Sequence, residues 1–547
     1  MSTTVQPAII TNAARLAGIV QAVGRRSADV PRRWWESALV FGLSLVVYTW
    51  IGFRVVAQLH IVNYDILDRM NRALMVWHNN PAKMSAIGFD YPPLQTLLIS
   101  PLTIFRLGVD FLVVIPVASA FFAGLLMMYL NTMMRRTGIP VFLRIALLVA
   151  FGLNPLVVLY ATTGSPMMIW LAFLVASVGA LYAWYITADV RFIMIGGLAF
   201  AVAGLSGYTT LLYFLLAAVG VGAILAHLGA DGTEVEGTMV GFASPAIYVV
   251  ALWTGFNLLL AGNPIYWITS AAPTTTDIEQ FTALGLLRWT GELVLFGAPL
   301  AILVLPALLF VGLGRNNPFA VLLSLMLTLS ILTPAMSVLL GLTDSPMAME
   351  NAVPILVMSV IGALWLARSA GEGAAAISGL LALALVASIP WTFQGMRTYK
   401  YQNLEKVFTQ GILSGESQEG ATTKGGQTIT LDPALDMGQW IQENVDATGS
   451  VLTDNSATYA VMLFSGEPEL FFDRIDKSDG PWLQAAKNPV KADVDYFLLT
   501  TDGDDLLSEQ YPELLSSGEL TVVYSNAEYA VVAVPADFAG LTEASAS

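Results

Sequence analysis

The 547-residue chain is 56% hydrophobic and only 12% charged, with a formal net charge of −15. An average soluble chain carries roughly twice that charged share, so the composition excludes a fold that is water-soluble throughout. There is no cysteine, which removes disulfides, thiolate metal sites and cysteine nucleophiles.

Residues 1–36 form a basic leader in which Arg15, Arg25, Arg26, Arg32 and Arg33 precede the first apolar run. That run starts only near Ser37 and has no small-residue cleavage motif before it, so the leader reads as retained rather than as a signal peptide. The positive-inside bias puts the N-terminus in the cytoplasm, and the arginines read as a topology signal, not as a nucleic-acid site. Apolar segments follow near 37–58, 92–106, 109–131, 143–161, 165–187, 191–206, 208–228, 238–261, 290–313, 318–341, 353–368 and 375–393. Several reach the ~20 residues that cross hydrocarbon as a helix. Arg135, Arg136, Arg144, Arg191, Arg315 and Arg368 fall in alternate connections, which predicts those connections to be cytoplasmic. An odd number of crossings must then separate Asp90 from Arg135. Either one of 92–106 and 109–131 is re-entrant or surface-lying, for which the short 92–106, opening on two prolines, is the better candidate, or the Arg135–Arg136 pair lies outside; eleven or twelve spans are expected. Arg54, late in the first span, reads as snorkelling to the interface.

Two predicted external loops are long, 59–91 and 262–289. The first holds the amphipathic stretch ILDRMNRALMVWH (66–78), which puts Leu67, Leu74 and Trp77 on one helical face and Asp68, Arg69 and Arg72 on a polar one. After a transmembrane domain over 37–394 comes a linker, 395–430, and then a soluble domain, 431–547, expected outside the cytoplasm. In that domain DMGQWIQENV reads as a helix. SVLTD, YAVMLF, PELFF, DYFLLT, LTVVYS and YAVVAV read as strands. The predicted fold class is a membrane all-α bundle of about 11–12 transmembrane or re-entrant helices followed by a small α/β domain. That domain carries no Gly-rich phosphate loop and no nucleophile elbow, so it reads as a recognition or structural lid. His60, His78 and His227 do not have a metal-ligand spacing.

The stretch from His60 to Leu102 resembles the first extracytoplasmic loop of the GT-C superfamily of membrane glycosyltransferases, which includes protein O-mannosyltransferases and aminoarabinose transferases. The residues that carry the resemblance are Asp65 shortly after the first span, the surface-helix candidate behind it, and Tyr91-Pro92-Pro93-Leu94 opening the next membrane segment. NPLVVLYATTGSP (154–166) resembles the family's second external loop, and a soluble C-terminal domain is similar to that of many bacterial members.

The resemblance implies transfer of a sugar from a polyprenyl-phosphate donor to an unknown glycan, lipid or protein acceptor on the outer face of the plasma membrane, usually with inversion. An acceptor hydroxyl is a poor nucleophile and needs a carboxylate base. Asp65 is the first choice, with Asp68 and Asp90 as further candidate catalytic acids. Arg69, Arg72 and Lys83 are candidate donors to the lipid phosphate, and Tyr91 and Tyr160 complete the candidate binding set. Each has a plainer reading: Asp65 as a helix cap, Asp68 with Arg69 and Arg72 as a solvated face, Asp90 as a turn residue. The acid that follows Asp65 is Asp68 rather than an adjacent one, and ATTGSP has no acid, so the sequence does not support a divalent metal. Asp277, Glu279, Asp344 and Glu350 are candidates to compensate. The alternative is a catalytically silent GT-C-like subunit of an envelope complex. A transporter fits poorly, for the spans carry few central charges and show no internal repeat.

Overall fold

The computed structural model describes residues 33–538 except Asp90, 270–281, 340–347, 401–403, 416–421, 425–426, 478, 512–513 and 515–519. Of the residues singled out above, Asp90, Asp277, Glu279, Asp344, Arg15, Arg25, Arg26 and Arg32 therefore lie outside the described residues. The chain divides into two compact units, one of Met1–Gly52 with Ser119–Leu413 and one of Phe53–Ala118 with Ser414–Ser547.

The first unit is the helical bundle of an integral membrane protein. Eight helices are long and apolar enough to cross a membrane: Trp34–Gln58, Val114–Thr137, Met167–Thr187, Thr210–His227, Gly232–Ala261, Pro318–Leu339, Met349–Ser369 and Gly371–Thr398. Two further pairs are bent, Val141–Gly152 with Pro155–Thr162 by 70° and Leu284–Gly297 with Leu300–Gly314 by 107°. Two apolar helices are shorter, Pro93–Ile104 and Val190–Ser206. The apolar segments read from the sequence all exist as helices: among the described residues eight to ten qualify as spans by length and composition, and the two shorter helices complete the transmembrane or re-entrant set expected. Pro93–Ile104 covers only ~18 Å at 1.5 Å per residue, short for a full crossing of the hydrocarbon.

Prolines and polar side chains account for the breaks. Proline cannot supply an interior amide, so Pro155 and Pro299 each start a new helix. In hydrocarbon the freed backbone groups need partners. The Tyr48 hydroxyl donates to Gly152 O at 3.0 Å, Asn154 Oδ1 accepts from the Leu156 amide at 3.1 Å, and Trp391 Nε1 donates to Leu295 O at 2.7 Å. The first helix turns Leu39, Leu43, Val46 and Trp50 outward, each more than half exposed, as expected of a lipid-facing surface. Met349–Ser369 is 89% buried and forms the axis of the bundle, where Trp365 packs edge-on to Tyr182, Tyr185 and Phe319.

Helices Val190–Ser206 and Gly232–Ala261 approach so closely that a Cβ on Gly197 would collide with the Phe242 carbonyl. Small residues permit such backbone contact in membranes. Gly197→Ala is expected to separate this pair and cut the yield of folded protein severalfold, whereas Gly255→Ala, which meets nothing within 4 Å, leaves it unchanged. Fluorescence size-exclusion profiles of the two variants check this.

In the second unit, the sheet has the order β5-β4-β6-β8-β7, made of β4 Val451–Thr453, β5 Phe471–Phe472, β6 Tyr496–Thr500, β7 Thr521–Ser525 and β8 Tyr529–Ala533. β4 runs parallel to β5 and β6; β8 is antiparallel to β6 and β7. Trp482, Phe497, Leu499 and Val532 fill its core. A second, three-stranded sheet joins distant parts of the chain. β1, Val62–Asn63, pairs in parallel with β2, Thr422–Lys424, which pairs with β3, Gln427–Ile429.

One predicted strand is wrong. YAVMLF lies in the helix Asn455–Ser465, capped by the Asp454 carboxylate on the Ser456 amide and ended by Gly466 in the left-handed region at φ 67°. A short apolar run cannot distinguish a strand from a buried helix by periodicity, and the cap residues at both ends decide for the helix. PELFF is likewise only partly strand, its first three residues forming a 3-10 turn.

Candidate functional site

The helix Tyr64–His78 holds most of the predicted residues. Its N-cap is Asn63, whose side chain accepts from the Asp65 amide at 3.0 Å, so Asp65 is not the cap. It stands in the first turn, exposed, where the helix dipole favours a carboxylate. Because the helix already includes Asp65, this residue and Asp68 share a face.

Beyond Asp65 that face is buried. Asp68, Arg69 and Arg72 are 4%, 9% and 5% exposed, which corrects the reading of a polar surface face. The helix packs on Asn455–Ser465 of the C-terminal segment and on Met84–Ile87 and Pro93–Ile99 of its own loop, so both faces are covered. Only Trp77, 44% exposed, leaves the expected apolar face, while Leu67 and Leu74 are fully buried. At the far end, Arg106 donates to His78 Nδ1 at 3.3 Å and to Glu469 at 2.7 Å, tying the loop to the C-terminal domain.

The buried charges are organised around Tyr91. The Arg69 and Arg72 guanidinium groups lie 4.2 and 5.4 Å from the Tyr91 ring centre, a cation–π arrangement that strengthens when desolvated. Arg72 Nε donates to both Asp68 oxygens, at 3.0 and 3.1 Å. Arg69 has no such carboxylate among the described residues. It gives a long 3.4 Å bond to the Asp65 carbonyl, and its Nε is buried without a partner. A buried charged donor left unsatisfied is costly, and an anion is the group that relieves it.

Three further tyrosines, missed in the sequence, converge on the same turn. Tyr64 and Tyr529 share a hydroxyl–hydroxyl bond of 2.9 Å, and the Tyr459 ring meets Tyr64 edge-on at 5.0 Å. Tyr459 and Tyr529 come from the C-terminal domain, and no local pattern links them to a loop hundreds of residues earlier. Burial is the main force on all of them. It pushes the Tyr64 phenol up to about 12, against the lowering effect of its Tyr529 bond, and raises Tyr459 and Tyr529 further. Burial likewise raises Tyr91, with Asp68 adding to the effect and Arg69 opposing it. All four stay neutral donors at physiological pH.

A folded-state value above the unfolded 10.0 means the stabilisation is complete below pH 10 and is lost as pH rises toward 12. The melting temperature of the purified protein is expected to fall steeply across that window, and less steeply in Tyr64→Phe.

Lys83 is half-buried, at the start of the Met84–Ile87 turn. Tyr160 belongs to the other unit, where its phenol donates to the fully buried Glu405 at 2.6 Å. Glu405, which fell in the predicted linker, is a buried carboxylate the sequence reading passed over; Glu350 is half-buried in the turn Met349–Asn351. Both Asp68 oxygens are taken by Arg72, so Asp65 and Asp68 do not offer the open carboxylate pair a divalent cation requires.

No protein-family model matches the chain, and no curated protein matches it in sequence. Solved structures do match in fold. ArnT from Cupriavidus metallidurans bound to undecaprenyl phosphate aligns with TM-score 0.51 at 12% identity, over 91% of this chain and 99% of that one. The same protein in the apo state aligns with TM-score 0.51 at 14% identity, over 92% and 100%. The archaeal oligosaccharyltransferase AglB from Archaeoglobus fulgidus, with an inhibitory peptide and a dolichol-phosphate, gives TM-score 0.36 at 12% identity, over 87% and 70%, too low to carry an argument. The match to ArnT extends over nearly the whole of both chains, bundle and C-terminal domain together: the fold is GT-C-like.

Proposed function

We propose that this protein transfers a sugar from a polyprenyl-phosphate donor to an acceptor hydroxyl on the extracytoplasmic face, with inversion at the anomeric carbon. The observation that carries the reading is Arg69, a buried cation with an unpartnered donor beside the exposed carboxylate of Asp65. It is supported by the shared fold with a protein solved with undecaprenyl phosphate bound.

In the reaction the bond between the anomeric carbon and the donor phosphate oxygen breaks as the acceptor oxygen bonds to the opposite face. The acceptor proton passes to the Asp65 carboxylate, the general base. The departing phosphate changes from a diester to a monoester and gains negative charge, so cationic donors bind it more tightly late in the reaction than early. Arg69 and Arg72, held in place on Tyr91, supply those donors, with Lys83 as a third. Asp68 orients Arg72. Asp90 stays a proposed further catalytic acid. The N-terminus is cytoplasmic and the C-terminal domain extracytoplasmic in this reading, in keeping with the arginine distribution.

The test is transfer of radiolabelled sugar from native lipid-linked donors to total envelope acceptors, by the purified protein in nanodiscs. Arg69→Gln is expected to lower kcat/KM by roughly 10- to 100-fold, the value of one charge-assisted hydrogen bond, and to weaken retention of polyprenyl phosphate. One observation favours the silent-subunit alternative, namely that the Asp68 carboxylate is spent on Arg72. A wild type that neither binds polyprenyl phosphate nor transfers from a broad donor panel establishes that alternative.

A further inference from the structure

A large cavity is formed within the helical bundle. It is a groove of about 980 Å³ walled by the helices that begin at Trp34, Met167 and Val190 and by Val114–Thr137. Phe41, Phe121 and Phe173 line its apolar length, and Arg33, Arg135 and Arg136 stand at one end. Along Val114–Thr137 the groove runs from Phe121 to Arg136, roughly 22 Å at 1.5 Å per residue. One leaflet offers about 15 Å of hydrocarbon plus its headgroup layer. The trough therefore matches the depth of a single leaflet, with its cations at headgroup level.

Two of these arginines, Arg33 and Arg135, lack a carboxylate partner among the described residues. Glu36, the nearby carboxylate, is taken by Arg144 at 3.0 Å and by Asn131 at 3.2 Å. Arg135 reaches only the Arg33 carbonyl, at 3.4 Å, and its Nε is buried without a partner. Arg136 lies 4.8 Å over the Phe192 ring, and its carbonyl accepts from Arg368 at 2.5 Å, so the rim is held in shape. Basic pockets between membrane helices on the cytoplasmic side select anionic headgroups.

We propose that this groove is a binding site for an anionic glycerophospholipid of the leaflet at the N-terminal side. An acyl chain fills the trough, and the phosphate sits on Arg33 and Arg135. The site is independent of the transferase reading, for it uses none of the residues assigned there.

The experiment is native mass spectrometry of the full-length, delipidated protein titrated with phosphatidylglycerol or phosphatidylcholine. Phosphatidylglycerol is expected to bind at least tenfold more tightly. Arg33→Gln/Arg135→Gln should reduce it to the phosphatidylcholine level, a loss of roughly 30-fold for two headgroup contacts. The charge-matched control Arg191→Gln/Arg315→Gln, outside the groove, should keep the preference, and all variants should melt alike in detergent. A photocrosslinker at Ala199, which lines the trough, should label lipid. Equal affinity for the two lipids, or an unchanged preference in the Arg33/Arg135 variant, overturns the proposal. So does crosslinking of Ala199 to residues 1–32, which would make the leader the occupant.

Discussion

Asp65→Asn is expected to lower sugar transfer by roughly 10²- to 10⁴-fold, the range for removal of a general base, while leaving polyprenyl-phosphate retention and melting temperature nearly unchanged. Asparagine keeps the size of the side chain but cannot accept the acceptor's proton. The helix start survives because Asn63, not Asp65, makes the cap; the carboxylate's favourable interaction with the helix dipole is worth about 0.3–1 kcal/mol. The separation of a rate effect from a stability effect is what identifies a base. Transfer within tenfold of wild type would sink the assignment and move attention to Asp90.

The opposite signature is expected one turn later. Asp68 and Arg72 form an ion pair whose side chains are both 6% exposed. Removing one member of a buried pair strands the other, at a typical cost of about 3–5 kcal/mol. Asp68→Ala removes the carboxylate that takes both bonds from Arg72 Nε beside the Tyr91 ring. Its melting temperature should drop sharply, and Asp68→Leu/Arg72→Met should recover most of the loss, since an apolar pair of similar volume needs no partner. A single variant as stable as the wild type would show that water reaches Arg72 and that the pair is not dry.

The parts of this architecture legible in the sequence are those set by local pattern. Each apolar segment became a helix because in hydrocarbon only internal hydrogen bonding satisfies the backbone. The breaks at Pro155 and Pro299 were visible as prolines, but their 70° and 107° bends were not, since an angle depends on what packs against the break. The helix behind Asp65 was read correctly, and its polar face was misjudged. Periodicity shows which residues share a face but not what covers it, and the cover here is a helix beginning at Asn455. The same distance hid Tyr459 and Tyr529. YAVMLF misled because six apolar residues fit either period, and only Asp454 and Gly466 at its ends spoke for a helix.

The hydroxyl bond between Tyr64 and Tyr529 joins residues 465 positions apart, and the β1–β2 pairing joins the same early loop to the segment after the bundle. At ribosomal rates of 5–20 residues per second the loop is made roughly 25–90 s before its last partner exists. During that interval the Arg69 and Arg72 face and the β1 edge have no cover from the C-terminal domain. The folding of the early loop therefore finishes only after β2 and Tyr529 have been made. A ribosome that stops short leaves an open, charged helix and an unpaired strand edge, a form suited to capture by chaperones or proteases. The C-terminal domain thus finishes the fold of the first loop as well as covering it.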